Sequence, residues 1–277
     1  MMNTCDMHTH SLCSDGTATP AQIVQQAARI GLSAVALTDH NTIEGLPAFL
    51  QAADKTVRAV PGVEVTADYE GDEIHIVGLF IDPSAYAPLT DFLSVIRVRK
   101  RKANEDACER LLRAGFAISP ERILNAEGSV NRVHFAKELM RCGYAASIDE
   151  AFAELLAPER GLYVPSRRLD GFEVIDCLRQ LGIVPVLAHP FLDLTVAQLQ
   201  ELLPKAKRAG LIGLEARYSR FSPSETQLAE ALAEAFGLLP GGGSDYHGAN
   251  KPGLQLGTGY GDLEVPLSYL EALEQAI

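Results

Sequence analysis

Seven short apolar segments recur along this 277-residue chain, and segments with helical periodicity separate most of them. The run from Ala34 to Thr38 is almost continuously apolar, as is typical of a strand buried on both faces of a parallel sheet. Thr19-Pro20 has the form of a helix cap and a first helical residue, and predicts a helix that ends near Gly31. This alternation predicts a parallel sheet that is closed, or nearly closed, into an α/β barrel of about seven strands. The expected strands are the segment before His8 and residues 34–38, 58–65, 74–80, 182–188, 211–216 and 238–243, with a second helix over residues 43–54.

The alternation stops between residues 88 and 168. Apolar residues from Leu89 to Ala114 recur near helical spacing and predict one long helix, which shorter helical pieces follow. We therefore expect a barrel formed by residues 1–87 and 169–277. Residues 88–168 are expected to be a helical insertion that forms a substrate-binding cap.

Histidines and carboxylates lie at or beside the expected strands, mostly at their carboxyl ends, where barrel active sites are built. One such histidine would need no explanation, but six would rarely gather there by chance. Mixed imidazole and carboxylate ligands suit Mn²⁺, Fe²⁺ or Zn²⁺ rather than Ca²⁺. Since nine ligands exceed the needs of one ion, we predict a cluster of two or three divalent metals, with Mn²⁺ as first choice. The candidate ligands are His8, His10, Asp15, His40, Glu64, His75, His189, Asp245 and His247.

The charge balance narrows the class of partner. The chain has 36 acidic and 24 basic residues, a net charge of −12, which argues against binding long nucleic acid. A small phosphorylated substrate stays compatible, because bound cations would reverse the field locally. No run of 18 apolar residues predicts a membrane span, and no signal peptide is evident. Five scattered cysteines without a Cys-x-x-Cys pair indicate reduced thiols and a cytoplasmic protein.

A basic segment lies inside the expected long helix. Arg97, Arg99, Lys100, Arg101 and Lys102 fall within six residues, and on a helix they cannot all face the same way. One interpretation is a solvated helix face. The other is that Arg99 and Lys102, at positions i and i+3, turn toward the metals and bind phosphate.

The ordered set of these motifs resembles the PHP (polymerase and histidinol phosphatase) family. The resemblance covers residues 3 to about 82 and about 170 to 260, and the ordered set is far more specific than His-x-His alone. The insertion, with its Arg132-Val133-His134, is similar to that of the stand-alone PHP phosphoesterases. The matching motifs are His8-Thr9-His10 with Asp15, Thr38-Asp39-His40, Gly62-Val63-Glu64, His75, Ala188-His189-Pro190 and Ser244-Asp245-Tyr246-His247.

The resemblance implies a distorted, TIM-like (β/α)7 barrel of the amidohydrolase type with metals at its C-terminal face. It also implies three groups of ligands, with Glu64 as the bridge between the first two. Some family members have a histidine where Asp15 stands, and the carboxylate here keeps a ligand. The implied groups are His8, His10, Glu64 and Asp245; Glu64, His75 and His189; and Asp15, His40 and His247.

The implied activity is that of a metal-dependent phosphoesterase. Neighbouring metals generate hydroxide near neutral pH and neutralise phosphoryl oxygens. A nucleophilic serine is not required, and the sequence has no Gly-x-Ser-x-Gly elbow. The catalytic residues would be Asp15, Glu64, His40 and His247, and either imidazole could protonate the leaving alkoxide.

The resemblance to stand-alone members also points to nucleotide substrates. Arg132 and His134 match an Arg-x-His pair that binds substrate phosphate, although burial or metal ligation of His134 stays open. With Arg99 and Lys102 they would bind a second phosphate, which favours removal of the 3′-phosphate from nucleoside 3′,5′-bisphosphates, such as adenosine 3′,5′-bisphosphate, giving AMP and phosphate. Tyr218 and Phe221 follow the sixth strand and would stack on a base or belong to the core.

Four other functions stay open. One is 5′-3′ exoribonuclease activity on short 5′-phosphorylated RNA, which the acidic surface disfavours when the RNA is long. Histidinol-phosphate phosphatase and C–N amidohydrolase activities would use similar ligands. A non-catalytic, polymerase-associated module would have lost ligands, whereas this set is complete.

Overall fold

The computed structural model describes residues 3–53, 55–126 and 130–277, and the chain divides into two compact units. One unit is formed by Met1–Leu93 with Arg168–Ile277, and the other by Ser94–Arg167. The strands are β1 (Cys5–Asp6), β2 (Ala34–Leu37), β3 (Arg58–Tyr69), β4 (Asp72–Leu79), β5 (Leu169–Asp170), β6 (Val184–Leu187), β7 (Gly213–Tyr218) and β8 (Leu239–Gly243). The α-helices are α1 (Pro20–Ile30), α2 (Leu46–Ala52), α3 (Tyr86–Arg113), α4 (Pro120–Leu124), α5 (Arg132–Arg141), α6 (Ile148–Glu150), α7 (Gly171–Gln180), α8 (Pro190–Asp193), α9 (Val196–Ala209), α10 (Pro223–Ala235) and α11 (Leu267–Glu274). A π-helical turn spans Ala151–Leu155, and 3₁₀ turns span Pro83–Ala85, Pro158–Arg160 and Gly248–Asn250.

Seven strands form a nearly closed barrel in the order β1-β2-β3-β4-β6-β7-β8, and the short β5 pairs with β3. The segment after β1 meets β8 and its continuation: the Met7 N–H donates to Gly242 C=O (3.2 Å), and the Asp245 N–H to His8 C=O (2.8 Å). The close approach depends on Gly243, since a Cβ there would lie 2.3 Å from the His8 Cβ. The predicted α/β barrel of about seven strands is therefore confirmed.

The prediction of an all-parallel sheet was wrong for one strand. β4 runs antiparallel to both β3 and β6, whereas the other neighbours in the ring are parallel. Only Glu70 and Gly71 separate β3 from β4, and both have positive φ (54° and 101°). A two-residue turn of this kind makes a hairpin, because a parallel connection needs a crossover of about a dozen residues. The start of β4, which carries His75, consequently lies at the same rim as the carboxyl ends of β2 and β3.

The predicted helix over residues 43–54 is shorter in the structure. α2 spans Leu46–Ala52, and the segment before it forms a turn in which the Glu44 N–H donates to Thr42 Oγ1 (3.2 Å). Residue 54 lies outside the described residues. The first helix agrees with its predicted ends: Thr19 caps α1 with a reciprocal hydrogen-bond pair to Gln22, and Gly31 ends it at φ 81°.

Aliphatic side chains fill the barrel interior, so it is a packed core and not a channel. A cavity of about 10 Å³ lies inside the barrel, lined among others by Met7, Val77, Val186 and Leu273. A substrate must therefore bind at the rim. The buried members of this core are Cys5, Met7, Ala34, Ala36, Val60, Val77, Leu79, Val184, Val186, Ala188, Val265, Leu270 and Leu273.

The unit Ser94–Arg167 has a hydrophobic core of its own. Ala107 and Leu111 of α3 pack with Phe135 and Leu139 of α5, and Ala151 and other residues join them. The long helix α3 thus begins in the barrel unit and ends in the second unit. In the described part of the chain, no helix is long and apolar enough to cross a membrane.

Asp6 ties the first strand to the last part of the barrel. Its carboxylate is fully buried, and it accepts hydrogen bonds from the N–H groups of His8 (3.2 Å), Ser244 (2.9 Å) and Gly257 (2.8 Å) and from Ser244 Oγ (2.5 Å). Four donors from three segments of the chain therefore depend on one side chain. Their loss would leave buried N–H groups without acceptors.

We expect Asp6→Ala to lower the free energy of unfolding by about 3 kcal/mol, since it leaves buried polar groups unpaired. Ser244→Ala is the matched control: it removes one of the four donors and should cost about 1 kcal/mol. Urea denaturation of both variants in the presence of a chelator gives the two values without a contribution from bound metal. Equal effects of the two substitutions would contradict the role assigned to Asp6.

Candidate metal centre

His8 and His10 follow β1 and point to the same side of the chain, as their i, i+2 spacing predicts. Their side chains are almost completely buried, and their ring centroids lie 5.1 Å apart. Thr9, between them, points the other way, and its hydroxyl donates to the Ala36 carbonyl of β2 (2.5 Å). The neighbouring strand thus fixes the orientation of both imidazoles.

Glu64 of β3 lies at the centre of the site. Its carboxylate is 1% exposed, and five imidazoles reach it from the ends of four other strands. Oε1 faces His8, His75 and His189, whereas Oε2 faces His10 and His40. The nitrogen-to-oxygen distances are 2.8 Å for His75, 2.9 Å for His40, 3.2 Å for His10 and His189, and 3.3 Å for His8.

A second carboxylate, Asp15, gathers another set of imidazoles. Asp15 Oδ1 lies 3.2 Å from His247 Nε2 and 3.8 Å from His10 Nδ1, and Oδ2 lies 3.8 Å from His40 Nε2. At 42% side-chain exposure, Asp15 is far more open to solvent than Glu64. This set contains the predicted group of Asp15, His40 and His247, with His10 added.

The loop that carries Asp15 is held by a buried carboxylate without a predicted role, Asp39. It accepts hydrogen bonds from the N–H and hydroxyl of Ser11 and from the hydroxyl of Ser14, each at 2.7 Å. Because Asp39 directly precedes His40, one short segment after β2 positions both the loop that carries Asp15 and the His40 imidazole.

Asp245 follows β8 in a conformation that few non-glycine residues adopt, with φ 58°. Its Oδ1 faces His10 and His247 at 3.3 Å and His8 at 3.8 Å. Its Oδ2 accepts a hydrogen bond from the Tyr218 hydroxyl (2.8 Å) and pairs with Lys251. One oxygen thus faces the imidazoles while the other is held from outside.

The donor atoms of this cluster fit divalent cations. Nine buried side-chain nitrogen and oxygen atoms of the described residues have no hydrogen-bond partner, and six of them belong to this cluster. Buried polar atoms rarely stay unpaired in proteins, and cations would satisfy these six together. Four groups of donors have their atoms within 4.8 Å of one another: His10, Asp15, His40 and His247; His8, Glu64 and His189; His8, His10 and Asp245; and His40, Glu64 and His75. The structure thus brings all nine predicted ligands to one site.

Burial and charge act in opposite directions on these groups. Burial alone would lower the pKa of His75, but Glu64 and Glu73 raise that pKa to about 10. Burial would likewise raise the pKa of Glu64, and the surrounding imidazoles hold it well below its usual value. The carboxylates are therefore ionised, and a cation that binds here must displace protons from imidazoles.

Further carboxylates hold the outer nitrogens of the imidazoles. Glu215 of β7 is buried: its Oε1 lies 3.2 Å from His8 Nδ1, and its Oε2 accepts the His189 N–H (2.6 Å). Asp193 and Glu73 lie 3.2 Å from the outer nitrogens of His189 and His75. Each of these carboxylates can accept a hydrogen bond from the ring, so the outer nitrogen of each imidazole keeps a proton, and a cation would bind the inner nitrogen after displacing the proton there.

Sequence reasoning missed these outer carboxylates. Glu215 offered a signal, since it is the one acidic residue in the predicted strand 211–216. A carboxylate inside a buried strand needs a hydrogen-bond or ion-pair partner, because burial of an unpaired charge is costly. Asp193 and Glu73 stand four and two residues from a predicted ligand, but many acidic residues lie as close to one by chance.

The four predicted substrate-binding residues lie in the unit Ser94–Arg167, whereas the nine predicted metal ligands lie in the barrel unit. Arg132 Nη2 donates to the carbonyls of Phe152 (2.9 Å) and Leu156 (3.0 Å), and its guanidinium lies 4.3 Å from the centroid of the Phe152 ring. Lys102 Nζ donates to Asp106 Oδ1 (2.6 Å). Arg99 is exposed on α3. His134 caps α5 by accepting the Asn131 N–H (3.1 Å), and it belongs to none of the four donor groups found among the described residues.

Known proteins are similar to this chain in sequence and in fold. The 5′-3′ exoribonuclease Rnm of Salmonella typhimurium is 35% identical over 87% of this chain and 84% of its own. The phosphoribosyl 1,2-cyclic phosphate 1,2-diphosphodiesterase of Eggerthella lenta is 33% identical, with 88% and 94% covered. The 3′,5′-nucleoside bisphosphate phosphatase of Chromobacterium violaceum is 28% identical, with 92% and 91% covered. A solved structure from Bifidobacterium adolescentis, described as a metal-dependent phosphoesterase, matches with a TM-score of 0.77 at 27% identity, covering 98% of this chain and 96% of the other.

A nearly closed α/β barrel with an imidazole–carboxylate cluster at this rim defines the class of protein as a metal-dependent phosphoesterase. The family follows from the sequence match. The PHP domain model matches residues 6–160, more than half of the chain, and the chain belongs to the PHP domain family. The predicted resemblance is thereby confirmed.

We expect Glu64→Gln to abolish tight metal binding, because an amide has one acceptor oxygen and cannot serve imidazole groups on both of its sides. Metal content per chain after dialysis, measured by inductively coupled plasma mass spectrometry, tests this. Glu234→Gln, an exposed residue of α10, is the control and should keep the wild-type content. Unchanged metal content in Glu64→Gln would refute the central role of this carboxylate.

We expect Glu215→Gln to weaken metal binding about 10- to 100-fold, since outer hydrogen-bond partners of metal-binding histidines have effects of this size. The amide nitrogen would face either the His8 ring proton or the His189 N–H, so one of the two hydrogen bonds must be lost. Isothermal titration of the chelator-treated protein with Mn²⁺ gives the affinity. Full loss of folding, or an affinity equal to that of the wild type, would each contradict this role.

Proposed function

We propose that this protein removes the 3′-phosphate from nucleoside 3′,5′-bisphosphates. The observation that carries the proposal is the cluster of nine imidazole and carboxylate side chains arranged around Glu64. A relative at 28% identity is a 3′,5′-nucleoside bisphosphate phosphatase. The net charge of −12 favours a small substrate over long nucleic acid.

The residues that would hold cations are the nine members of the cluster. When bound, divalent cations activate water for attack and neutralise the charge of phosphoryl oxygens. Glu64 keeps the imidazoles on its two sides at fixed distances, and Glu215 and Asp245 orient His8 from opposite sides. Glu64, Glu215 and Asp245 are buried, whereas Asp15, His40 and His75 are partly exposed, so a substrate would reach the cluster from the side of these three residues.

An imidazole beside Asp15 that does not hold a cation can transfer a proton to the leaving oxygen. His40 and His247 both direct Nε2 toward this carboxylate. The side chain of His40 is 19% exposed and that of His247 is 6% exposed. His40 is therefore the more accessible of the two to a substrate that enters from the rim.

The proposed substrate carries a second phosphate, which the protein must also bind. Arg99, Lys102, Arg132 and His134 of the insertion were selected from the sequence for this purpose. Of these four, Arg99 and Lys102 are exposed, and Arg132 and His134 are partly buried. Arg132 and Lys102 already have partners within their own unit, which a phosphate would have to replace or share.

A second candidate function is 5′-3′ hydrolysis of short 5′-phosphorylated RNA. The observation in its favour is the 35% identity to an exoribonuclease over 87% of the chain. Both functions need the same phosphoryl chemistry, and they differ in whether the scissile phosphate is terminal or links two nucleotides.

We expect the Mn²⁺-loaded protein to hydrolyse adenosine 3′,5′-bisphosphate with a kcat/KM at least tenfold above that for a 5′-phosphorylated trinucleotide or for histidinol phosphate. Phosphate release and chromatography of the products measure the three rates. Chelator treatment should abolish turnover, and added Mn²⁺ should restore it. Faster turnover of the trinucleotide would favour the exoribonuclease, and inactivity toward every phosphoester would overturn both proposals.

A further inference from the structure

Three aromatic side chains form a connected cluster beside the metal centre. Tyr218 ends β7, and its ring centroid lies 5.4 Å from that of His189. Phe221 lies 5.2 Å from Tyr218, and Phe191 lies 5.0 Å from Phe221. The cluster thus runs from a predicted metal ligand outward to two phenylalanines.

Burial divides these rings into two kinds. Tyr218 is 3% exposed and donates its hydroxyl to Asp245, so its ring belongs to the core of the site. Phe191 and Phe221 are half-buried, and Leu192, which directly follows Phe191, is 45% exposed. Of the two residues selected from the sequence as stacking candidates, Phe221 keeps an accessible surface and Tyr218 does not.

Arg220 stands next to Phe221 and is exposed. Its guanidinium makes no ion pair or hydrogen bond with the part of the chain that the structure describes, whereas Lys251 and Arg168 on this unit pair with Asp245 and Glu73. Arg220 follows Tyr218 by two residues, and Tyr218 contacts both Asp245 and His189. The Arg220 guanidinium therefore lies on a loop that begins beside the metal centre.

The loop that carries Arg220 and Phe221 is fixed at both ends. The Phe221 N–H donates to the Tyr218 carbonyl (3.0 Å), and Ser222 caps α10 through a reciprocal hydrogen-bond pair with Glu225. Gly259 packs against Ser219, where a Cβ would come within 2.7 Å of the serine Cβ. A preformed loop can present a ring and a cation to a ligand with little loss of conformational entropy.

We infer that Phe191, Phe221 and Arg220 form a nucleotide-recognition surface at the rim of the metal centre. Phe221 and Phe191 stack on the base, and Arg220, rather than the insertion residues predicted from the sequence, pairs with the phosphate that is not hydrolysed. An aromatic face accepts any base, and a guanidinium binds phosphate through two parallel hydrogen bonds. The inference rests on the proposed function, since it names the groups that would recognise the nucleoside and the distal phosphate.

We expect Phe221→Leu to raise KM for adenosine 3′,5′-bisphosphate about tenfold, as stacking energies of about 1–3 kcal/mol per base imply. The same variant should keep the wild-type KM for the base-free tetrahydrofuran 3,5-bisphosphate analogue. Arg220→Ala should raise KM about tenfold for the bisphosphate and leave that for adenosine 3′-monophosphate within twofold, because only the former has a distal phosphate. In each case kcat should change much less than KM.

Two control variants carry the same substitutions elsewhere on the barrel unit. Phe236→Leu lies between α10 and β8, and Arg208→Ala lies near the end of α9, before β7. Both positions precede a strand, and so lie at the end of the barrel opposite to the metal centre. Neither control should change KM for any of these substrates.

A binding measurement separates this inference from the proposed function. Saturation-transfer NMR with AMP and the Mg²⁺-loaded protein should show transfer from aromatic protein protons to the adenine protons, and Phe221→Leu should remove it. If the wild-type protein hydrolyses no bisphosphate, the proposed function fails, and the AMP experiment still tests the surface. If it hydrolyses the bisphosphate while neither substitution changes KM or the transfer, the surface is wrong and the proposed function stands.

Discussion

The contact of one buried carboxylate with five imidazoles is the constraint around which the barrel rim is organised. Glu64 can hold this position because its backbone is fixed as firmly as its side chain: its N–H donates to Asp39 C=O (3.2 Å), and its C=O accepts the Asn41 N–H (2.8 Å). Those two bonds join the middle of β3 to the segment that carries His40. The carboxylate offsets the charge that protonated imidazoles would accumulate in a buried space, and the imidazoles offset the cost of burying the carboxylate. Neither set would be stable there alone.

The antiparallel hairpin explains how so many ligands reach a single carboxylate. In a parallel barrel, each strand delivers side chains to the rim only from its carboxyl end. β4 runs the other way, so it delivers His75 from near its start, opposite Thr66 of the adjacent strand. The loop between β3 and β4 therefore needs only two residues, and no helix has to cross between them. The opposite direction of one strand thus adds a ligand without adding a crossover.

The sequence predicted the barrel and the convergence of the nine candidate ligands, because most of them stand at or near the end of an apolar run and the strand ends of a barrel meet at one rim. The direction of β4 could also have been read from the Glu70-Gly71 pair between two strand-like segments, since polar-Gly pairs of this kind favour tight hairpin turns. The role of Glu215 could not have been read from the sequence, because its partners His8 and His189 come close to it only when the barrel closes. Arg132 shows the same limit: its Arg-x-His motif is visible in the sequence, but the two carbonyls and the aromatic ring that hold its guanidinium are not.

The acidic character of the site limits which basic side chains are available to bind the substrate. Lys251 is held by the outer oxygen of Asp245, and Arg168 is held by Glu73, which in turn lies against His75. These basic residues stabilise the carboxylates that orient the imidazoles, so a phosphate could recruit them only by loosening the cluster. A basic side chain without such a partner is available to bind substrate, and Arg220 meets this condition among the described residues of the barrel unit. Its position beside an accessible phenylalanine joins charge and stacking on one short loop, which is the combination that distinguishes a nucleotide from a simple phosphate ester.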